Sequence, residues 1–185
     1  MPIIKTDKES IIKKSVALFK LHGYNNTTMA NIGEACGLIK GSIYHYFKSK
    51  EQIGLESLKY IHEYFNQHIF SIAYQNDLSD KEKMILFVKK NDDYFLKSAG
   101  GCLLGNLALE ASHDIPEFKE EIINYFTNWE HALIEILKNK YDSTLSKEIA
   151  SEAVASWQGA IMMMNLYSNP DSYLGIGKKL IAKLE

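Results

Sequence analysis

Arginine is absent: all 21 basic residues of this 185-residue chain are lysines. The forked guanidinium that grips two acceptors of a guanine at once is therefore excluded as a means of reading DNA. Proline is confined to positions 2, 116 and 170, which leaves long stretches open to helix. Only two cysteines occur, Cys36 and Cys102. They form no CxxC pair and sit in no His/Cys cluster of metal-ligand spacing, so neither a metal nor another cofactor is expected. No run approaches the ~18 apolar residues of a membrane span, and the opening MPIIKTDKES lacks the apolar stretch of a signal peptide. The chain is expected to be cytoplasmic, away from membrane, with its cysteines reduced. Apolar and polar residues nowhere alternate long enough for a sheet, and internal repeats and low-complexity tracts are missing. What is present suits a globular protein, 46% hydrophobic and 24% charged.

The net charge of −2 conceals a split. Residues 1–50 hold Lys5, Lys8, Lys13, Lys14, Lys20, Lys40, Lys48 and Lys50 against Asp7, Glu9 and Glu34, a local charge of +5. The other 135 residues hold 13 lysines and 20 acids, a local −7. A basic head on an acidic body suits a head that meets phosphate, although a charged run can equally be a solvated face.

The whole chain reads as all-α. A first helix over residues 7–21 carries Ile12, Val16 and Phe19 on one face and stops at Gly23. Thr27 or Thr28 caps a short second helix, 29–35, which ends before Gly37. A third covers 40–47, and Ser49 caps a long fourth, 50–74, with Leu55, Leu58, Ile61, Phe65, Ile69 and Ile72 as its buried stripe. Five more follow over 80–98, 102–112, 116–140, 146–167 and 170–184. Their starts carry Ser79 and Asp80, Pro116 and Pro170. Phe118, Ile122, Tyr125, Trp129, Leu133 and Ile136 keep a 3.6-residue repeat. The expected architecture is a three-helix head, residues 1–50, joined to a six-helix bundle, residues 51–185.

The second and third helices, with the tight turn Cys36-Gly37-Leu38 between them, have the pattern of a helix-turn-helix. Ile32, Ala35, Leu38, Ile43 and Phe47 are its expected core. The third helix offers Lys40, Gly41, Ser42, Tyr44, His45 and Tyr46 toward a groove. Gly41 lets the backbone approach a duplex, the hydroxyls of Ser42 and Tyr44 suit phosphate, and Lys48 and Lys50 neutralise it. Taken singly, Tyr44, Tyr46 and Phe47 also fit ordinary packing; the ordered run with its turn is what carries the reading.

The run TTMANIGEACGLIKGSIYHYFKSKE, residues 27–51, resembles the DNA-binding signature of the TetR family of transcriptional regulators, and the likeness extends over about residues 8–60. Two positions depart from it. Ile39 stands where a Ser or Thr cap often opens the recognition helix, and Cys36 replaces a usual Ala. The resemblance implies a homodimer whose heads bind the half-sites of a palindromic double-stranded operator, and a body that binds a small inducer and weakens that grip. It assigns phosphates to Thr28, Tyr44 and Lys50, and base edges or nearby backbone to Lys40, Gly41, Ser42 and His45. Thr27, Tyr46 and Lys48 complete the expected DNA-facing set.

In the body, Tyr60, Tyr64, Phe87, Tyr94, Phe95, Phe126, Trp129 and Trp157 fall on apolar helical faces. Each fits core packing by itself; together, in the resembled family, such helices enclose a ligand cavity. The expected lining comprises Tyr64, Phe87, Tyr94, Phe95, Leu103, Asn106, Leu107, Glu110, Phe126, Trp129, Trp157 and Met163. His113 is a further polar candidate, and Met162 to Met164 would make a pliable wall. By the same resemblance the last two helices form the dimer interface, through a stripe of Ala150, Ala153, Val154, Trp157, Ala160, Ile161 and Met164.

The run GGCLLGNLALE, residues 100–110, places Cys102 at a helix N-terminus, where the helix dipole favours a thiolate. It resembles a TetR subgroup in which some members sense electrophiles or oxidants through a cysteine here. No lysine lies between Lys147 and Lys178, so a basic partner from the eighth helix is missing. The expected function is a ligand-responsive regulator, most simply a repressor released by a small lipophilic or electrophilic inducer. The alternatives are a DNA-binding protein acting through a protein partner, or a cysteine-based sensor. An enzyme is excluded, because no nucleophile–base pair, metal cluster or phosphate loop is present.

Overall fold

The computed structural model describes residues 7–185; Lys5, counted above in the basic head, lies outside them. Among the described residues the chain is all-α, with nine α-helices and one 3-10 helix. They are α1 (Lys8–His22), α2 (Met29–Ala35), α3 (Lys40–Ile43), α4 (Lys50–His68), a 3-10 turn (Phe70–Tyr74), α5 (Asp80–Phe95), α6 (Leu103–Glu110), α7 (Pro116–Leu137), α8 (Ser143–Tyr167) and α9 (Asp171–Ala182). No described helix is long and apolar enough to cross a membrane. The chain divides into two compact units, residues 1–61 with 103–122, and residues 62–102 with 123–185.

In the first unit α1 packs on α2 and α6, and α2 packs on α3. The carboxylate of Asp7 accepts a hydrogen bond from the Ser10 amide at 2.8 Å and so starts α1. Ile11, Val16 and Phe19 are buried along α1, while the expected Ile12 is half-buried. Ile32, Ile43 and Phe47 form the core of the helix-turn-helix as expected. Ala35, however, is exposed and Leu38 half-buried; Met29, Gly33 and Cys36 take the interior positions. Ala35 closes α2, and its carbonyl accepts from Lys14 Nζ at 2.7 Å, which keeps it at the surface.

The second unit holds the larger core. α9 packs on α8 and on α5, and α5 packs on the 3-10 turn. The expected single helix over 50–74 is interrupted after His68. The break falls at Ile69, whose backbone (φ −126°, ψ −58°) leaves the helical region and turns the chain. The 3-10 turn that follows buries Phe70, Ile72 and Ala73 together. α8 also starts earlier than expected, because Asp142 rather than a later residue caps it, accepting from the Leu145 amide at 2.9 Å.

Candidate nucleic-acid interface and effector site

The helix-turn-helix is held by local hydrogen bonds that the sequence specifies. Thr28 caps α2: its hydroxyl accepts from the Asn31 amide at 3.2 Å, and the Asn31 side chain accepts from the Thr28 amide at 2.9 Å. This reciprocal pair satisfies two donors that a bare helix start would leave open. At the other end the Leu38 amide donates to Gly33 O at 2.8 Å and the Gly37 amide to Glu34 O at 2.9 Å. The pattern is a Schellman turn, and Gly37 supplies the positive φ of 68° that it needs.

α3 is a single turn. The expected helix over 40–47 ends at Ile43, and the chain continues to Tyr46 through tighter turns, with the Tyr46 amide donating to Ile43 O at 2.9 Å. Two features of the sequence account for this. Ile39 stands at the cap position with no side-chain hydrogen bond and is 77% exposed, and Gly41 in the first turn weakens helix propensity. Ile43 and Phe47 anchor the element inward. Lys40, Gly41, Tyr44, His45 and Lys48 are exposed, and Ser42 and Tyr46 are half-buried. A Cβ on Gly41 would meet nothing within 4 Å, so this stretch of backbone is open to a close partner. The face combines a cation, an imidazole, a phenol and bare backbone, and Thr28 is exposed at the start of α2.

Besides Thr28, whose hydroxyl also donates to Asn31 Oδ1 at 2.6 Å, Thr27 and Lys50 of the expected DNA-facing set have their polar atoms engaged inside the unit. Thr27 is 1% exposed and its hydroxyl donates to Gly23 O at 2.7 Å. Lys50 Nζ donates to Tyr24 O at 2.9 Å and stands 4.2 Å from the centre of the Tyr24 ring. Burial, with the carboxylates of Glu51 and Glu110 nearby, holds the Tyr24 phenol well above its ordinary range. Burial likewise pushes the Cys36 thiol up.

In the second unit the buried aromatic residues form a cluster. Phe95 stacks on Trp129 at 6.1 Å, Trp129 meets Trp157 at 5.6 Å, and Trp157 meets Phe87 at 6.4 Å. Phe65 contacts Tyr94, Phe95, Tyr125 and Trp129, while Tyr64, at the exposed rim, meets Tyr94 at 5.5 Å. Polar atoms are enclosed in this apolar cluster. Asn91 Oδ1, Trp129 Nε1 and Trp157 Nε1 are buried without a hydrogen-bond partner. Asn91 lies one turn from Phe87 and one from Phe95 on α5, so it faces the same side. Its amide group donates to Phe87 O at 3.0 Å, leaving the oxygen free. Cys102 is 4% exposed. Its thiol lies beside Tyr125, whose phenol is held well above its ordinary value first by burial and then by its neighbours.

The other expected ligand residues are distributed differently. Leu103, Asn106, Leu107 and Glu110 belong to the first unit. Leu103 and Leu107 are buried in it, and Glu110 accepts hydrogen bonds from the Tyr24 and Asn25 amides. His113 is exposed, Phe126 half-buried and Met163 exposed. A recess of about 320 Å³ in the second unit is lined by Asn66, Phe70, Ser71, Tyr74, Asn128 and His131, none of which the sequence singled out. Beside it Asn128 Nδ2 lies 2.9 Å from His62 Nε2 and donates to Asn66 Oδ1 at 3.3 Å. The available signal was a polar residue recurring one turn apart on an otherwise apolar face, His62 with Asn66.

Of the expected dimer stripe, Ala153, Trp157, Ala160 and Ile161 are buried within a single chain and Met164 is half-buried. They pack inward, Trp157 on Trp129 and Phe87. The large apolar residues that α8 leaves exposed are Leu145, Met162, Met163, Leu166 and Tyr167.

Comparison with known proteins agrees with this geometry. Residues 11–56 match the model of bacterial regulatory proteins of the tetR family. Residues 83–177 match that of the LmrA/YxaF-like C-terminal domain of transcriptional regulators. The chain is 26% identical over 173 residues to the HTH-type transcriptional repressor DhaR of Mycobacterium sp. strain GP1, covering 88% of this chain and 84% of that one. It is 27% identical to the HTH-type transcriptional regulator LmrA of Bacillus subtilis, covering 91% and 92%. The fold matches the crystal structure of a TetR transcriptional regulator from Legionella pneumophila with a TM-score of 0.86 at 23% identity, over 97% of both chains. A capped α2, a Schellman turn and an outward-facing α3 within the first match, followed by a helical body within the second, leave one assignment: the chain belongs to the TetR family of transcriptional regulators, a non-enzymatic, DNA-binding family, and carries an LmrA/YxaF-like C-terminal domain.

Proposed function

We propose that this regulator is a repressor that binds a palindromic operator as a homodimer and is released by a small neutral molecule. The observation that carries the DNA-binding half is the exposed face of Lys40, Gly41, Tyr44 and His45, anchored from below by Ile43 and Phe47. Without arginine, guanine cannot be gripped by a guanidinium fork, so base recognition rests on Lys40, on His45 and on close backbone approach at Gly41, with the Tyr44 hydroxyl on a phosphate. Exposed Thr28 and Lys48 add phosphate contacts. Repression is supported by DhaR, which is named a repressor. A dimer would form through the surface that α8 leaves apolar, Met162, Met163, Leu166 and Tyr167.

The inducer would enter the aromatic cluster of the second unit. Two indole N–H groups and one amide oxygen are buried there without partners, and such groups favour a ligand that supplies the missing hydrogen bonds. Phe87, Phe95, Trp129 and Trp157 around them are all uncharged, which suits a neutral, largely apolar compound.

In vitro selection from random duplex DNA, followed by footprinting, tests the first half. A two-fold symmetric footprint with two major-groove contacts about one helical turn apart is expected. A footprint over a single half-site, or none, would reject it. For the second half, a thermal-shift screen of neutral lipophilic compounds should give hits that also release the selected duplex; stabilising compounds that leave the DNA bound would reject release by inducer.

A further inference from the structure

Gly23 to Thr28, the loop between α1 and α2, has its backbone groups held from two directions by side chains remote in sequence. On one side the Glu110 carboxylate, the last residue of α6, accepts from the Tyr24 amide at 2.8 Å and from the Asn25 amide at 2.6 Å. On the other, Lys50 Nζ, the first residue of α4, donates to Tyr24 O at 2.9 Å, with Asn25 O at 3.5 Å. The Tyr24 ring closes the space between them: Lys50 lies over its face, and Phe19 and Phe118 pack against it at 5.4 and 5.2 Å. Gly23 permits the approach. Its φ is 82°, and a Cβ there would stand 3.0 Å from Glu110 Oε1. All these residues belong to the first unit.

We infer that Glu110 and Lys50 are positioning residues for operator binding, which clamp the α1–α2 loop and thereby set where Thr28, the cap of α2, and the α3 face behind it stand. The loop is a turn closed locally by the Thr27 amide on Tyr24 O at 3.2 Å and the Thr27 hydroxyl on Gly23 O at 2.7 Å; the Tyr24 and Asn25 amides find their partner in Glu110, which fixes how the turn is directed. Hydrogen bonds from two adjacent amides to one carboxylate are charge-assisted and directional. Only a few residues separate this anchor from the α2 N-cap, so releasing it loosens the entry to the reading element, which otherwise rests on α1. The assignment rests on the operator-binding reading proposed above. It gives Glu110 and Lys50 work inside the protein rather than on an inducer or a phosphate.

The test uses full-length protein and a duplex obtained by in vitro selection with the wild type. Operator affinity at 25 °C, its dependence on salt, thermal unfolding, and hydrogen exchange of peptides containing Tyr24 and Asn25 are measured for wild type, Glu110→Gln, Glu110→Ala and Lys50→Gln. Loss of the clamp lowers the fraction of heads in the binding-competent arrangement. Affinity should therefore fall about tenfold in Glu110→Gln, and further in Glu110→Ala, at temperatures where both remain folded. The loop amides should exchange faster, and the salt slope should stay at its wild-type value, because no phosphate contact is lost. Wild-type affinity in Glu110→Ala, even with a lowered unfolding temperature, would make Glu110 merely structural and overturn the inference. Should the Glu110 variants not fold, Lys50→Gln decides: weaker binding at unchanged slope supports the clamp. A slope reduced by about one would place Lys50 on a phosphate and overturn it. A wild type that selects no duplex would overturn the operator reading itself, and this inference with it.

Discussion

A Cβ placed on Gly33 would stand 2.8 Å from the carbonyl oxygen of Leu38. The same two residues are joined by the Leu38 amide, which donates to Gly33 O at 2.8 Å and closes the turn of the helix-turn-helix. The obstacle is backbone on both sides and cannot swing away as a side chain would. Gly33→Ala should therefore destabilise the first unit by about 1–3 kcal/mol, as forced overpacking does, and reduce operator affinity by misplacing α3. Denaturant unfolding and anisotropy with the selected duplex read the two effects. An unchanged unfolding midpoint would show that the turn relaxes freely.

Thr28 caps α2 and is proposed to meet a phosphate, and substitution tests the two together. Its hydroxyl caps α2, so Thr28→Ala should cost about 1 kcal/mol of stability. Thr28→Ser should recover most of it. If the exposed hydroxyl also meets a phosphate, Ser should restore operator affinity as well. A serine variant with restored stability and poor affinity would assign the DNA effect to the lost methyl.

The Asp7 carboxylate is held below its usual pKa of 3.8, chiefly by the Ser10 amide hydrogen bond. A depressed folded-state pKa contributes stability that is present above the unfolded value and is lost as pH falls through the folded one. The difference in unfolding temperature between wild type and Asp7→Ala should thus be constant above about pH 5 and shrink below 3.8. A difference that grew on acidification would contradict the cap.

Cys36 and Cys102 are both buried. Neither should react with a thiol reagent such as DTNB until the protein unfolds, and Cys102→Ser should leave operator binding intact. Rapid labelling of one thiol in native protein would instead point to an accessible, reactive cysteine of the kind the sequence around Cys102 suggested.

Local signals were legible in the sequence and distant ones were not. Thr28, Gly37, Ser79 and Pro116 mark helix ends through groups within a few residues, and the structure uses each of them at a helix end. The weak start of α3 was visible in Ile39, although not that the element would shrink to one turn. Cys36 took the interior place expected of Ala35, because the buried face of α2 steps through Met29, Ile32, Gly33 and Cys36 at three- and four-residue spacing, and two apolar neighbours in sequence leave open which of them continues it. Phe70 shows the same limit: only packing against Phe65, Phe87 and Trp129 reveals why α4 breaks. The clamp could not be read at all, since Glu110 lies 86 residues from its partner Tyr24. By contrast Asn91, one turn from each of two buried phenylalanines, was an anomaly open to inspection.

Tyr44 is 48% exposed on the α3 face, and its removal should leave folding intact. The most direct test of the account is therefore the affinity of wild type and Tyr44→Ala for the selected duplex and for a shuffled one, measured by anisotropy from about 50 to 200 mM salt. Wild type should prefer the selected duplex by at least ~10³-fold, with affinity falling steeply as salt rises. Tyr44→Ala should unfold at the wild-type temperature and lose most of its affinity for the selected duplex. Equal affinity of wild type for the two duplexes, or undiminished affinity of Tyr44→Ala for the selected one, would contradict it.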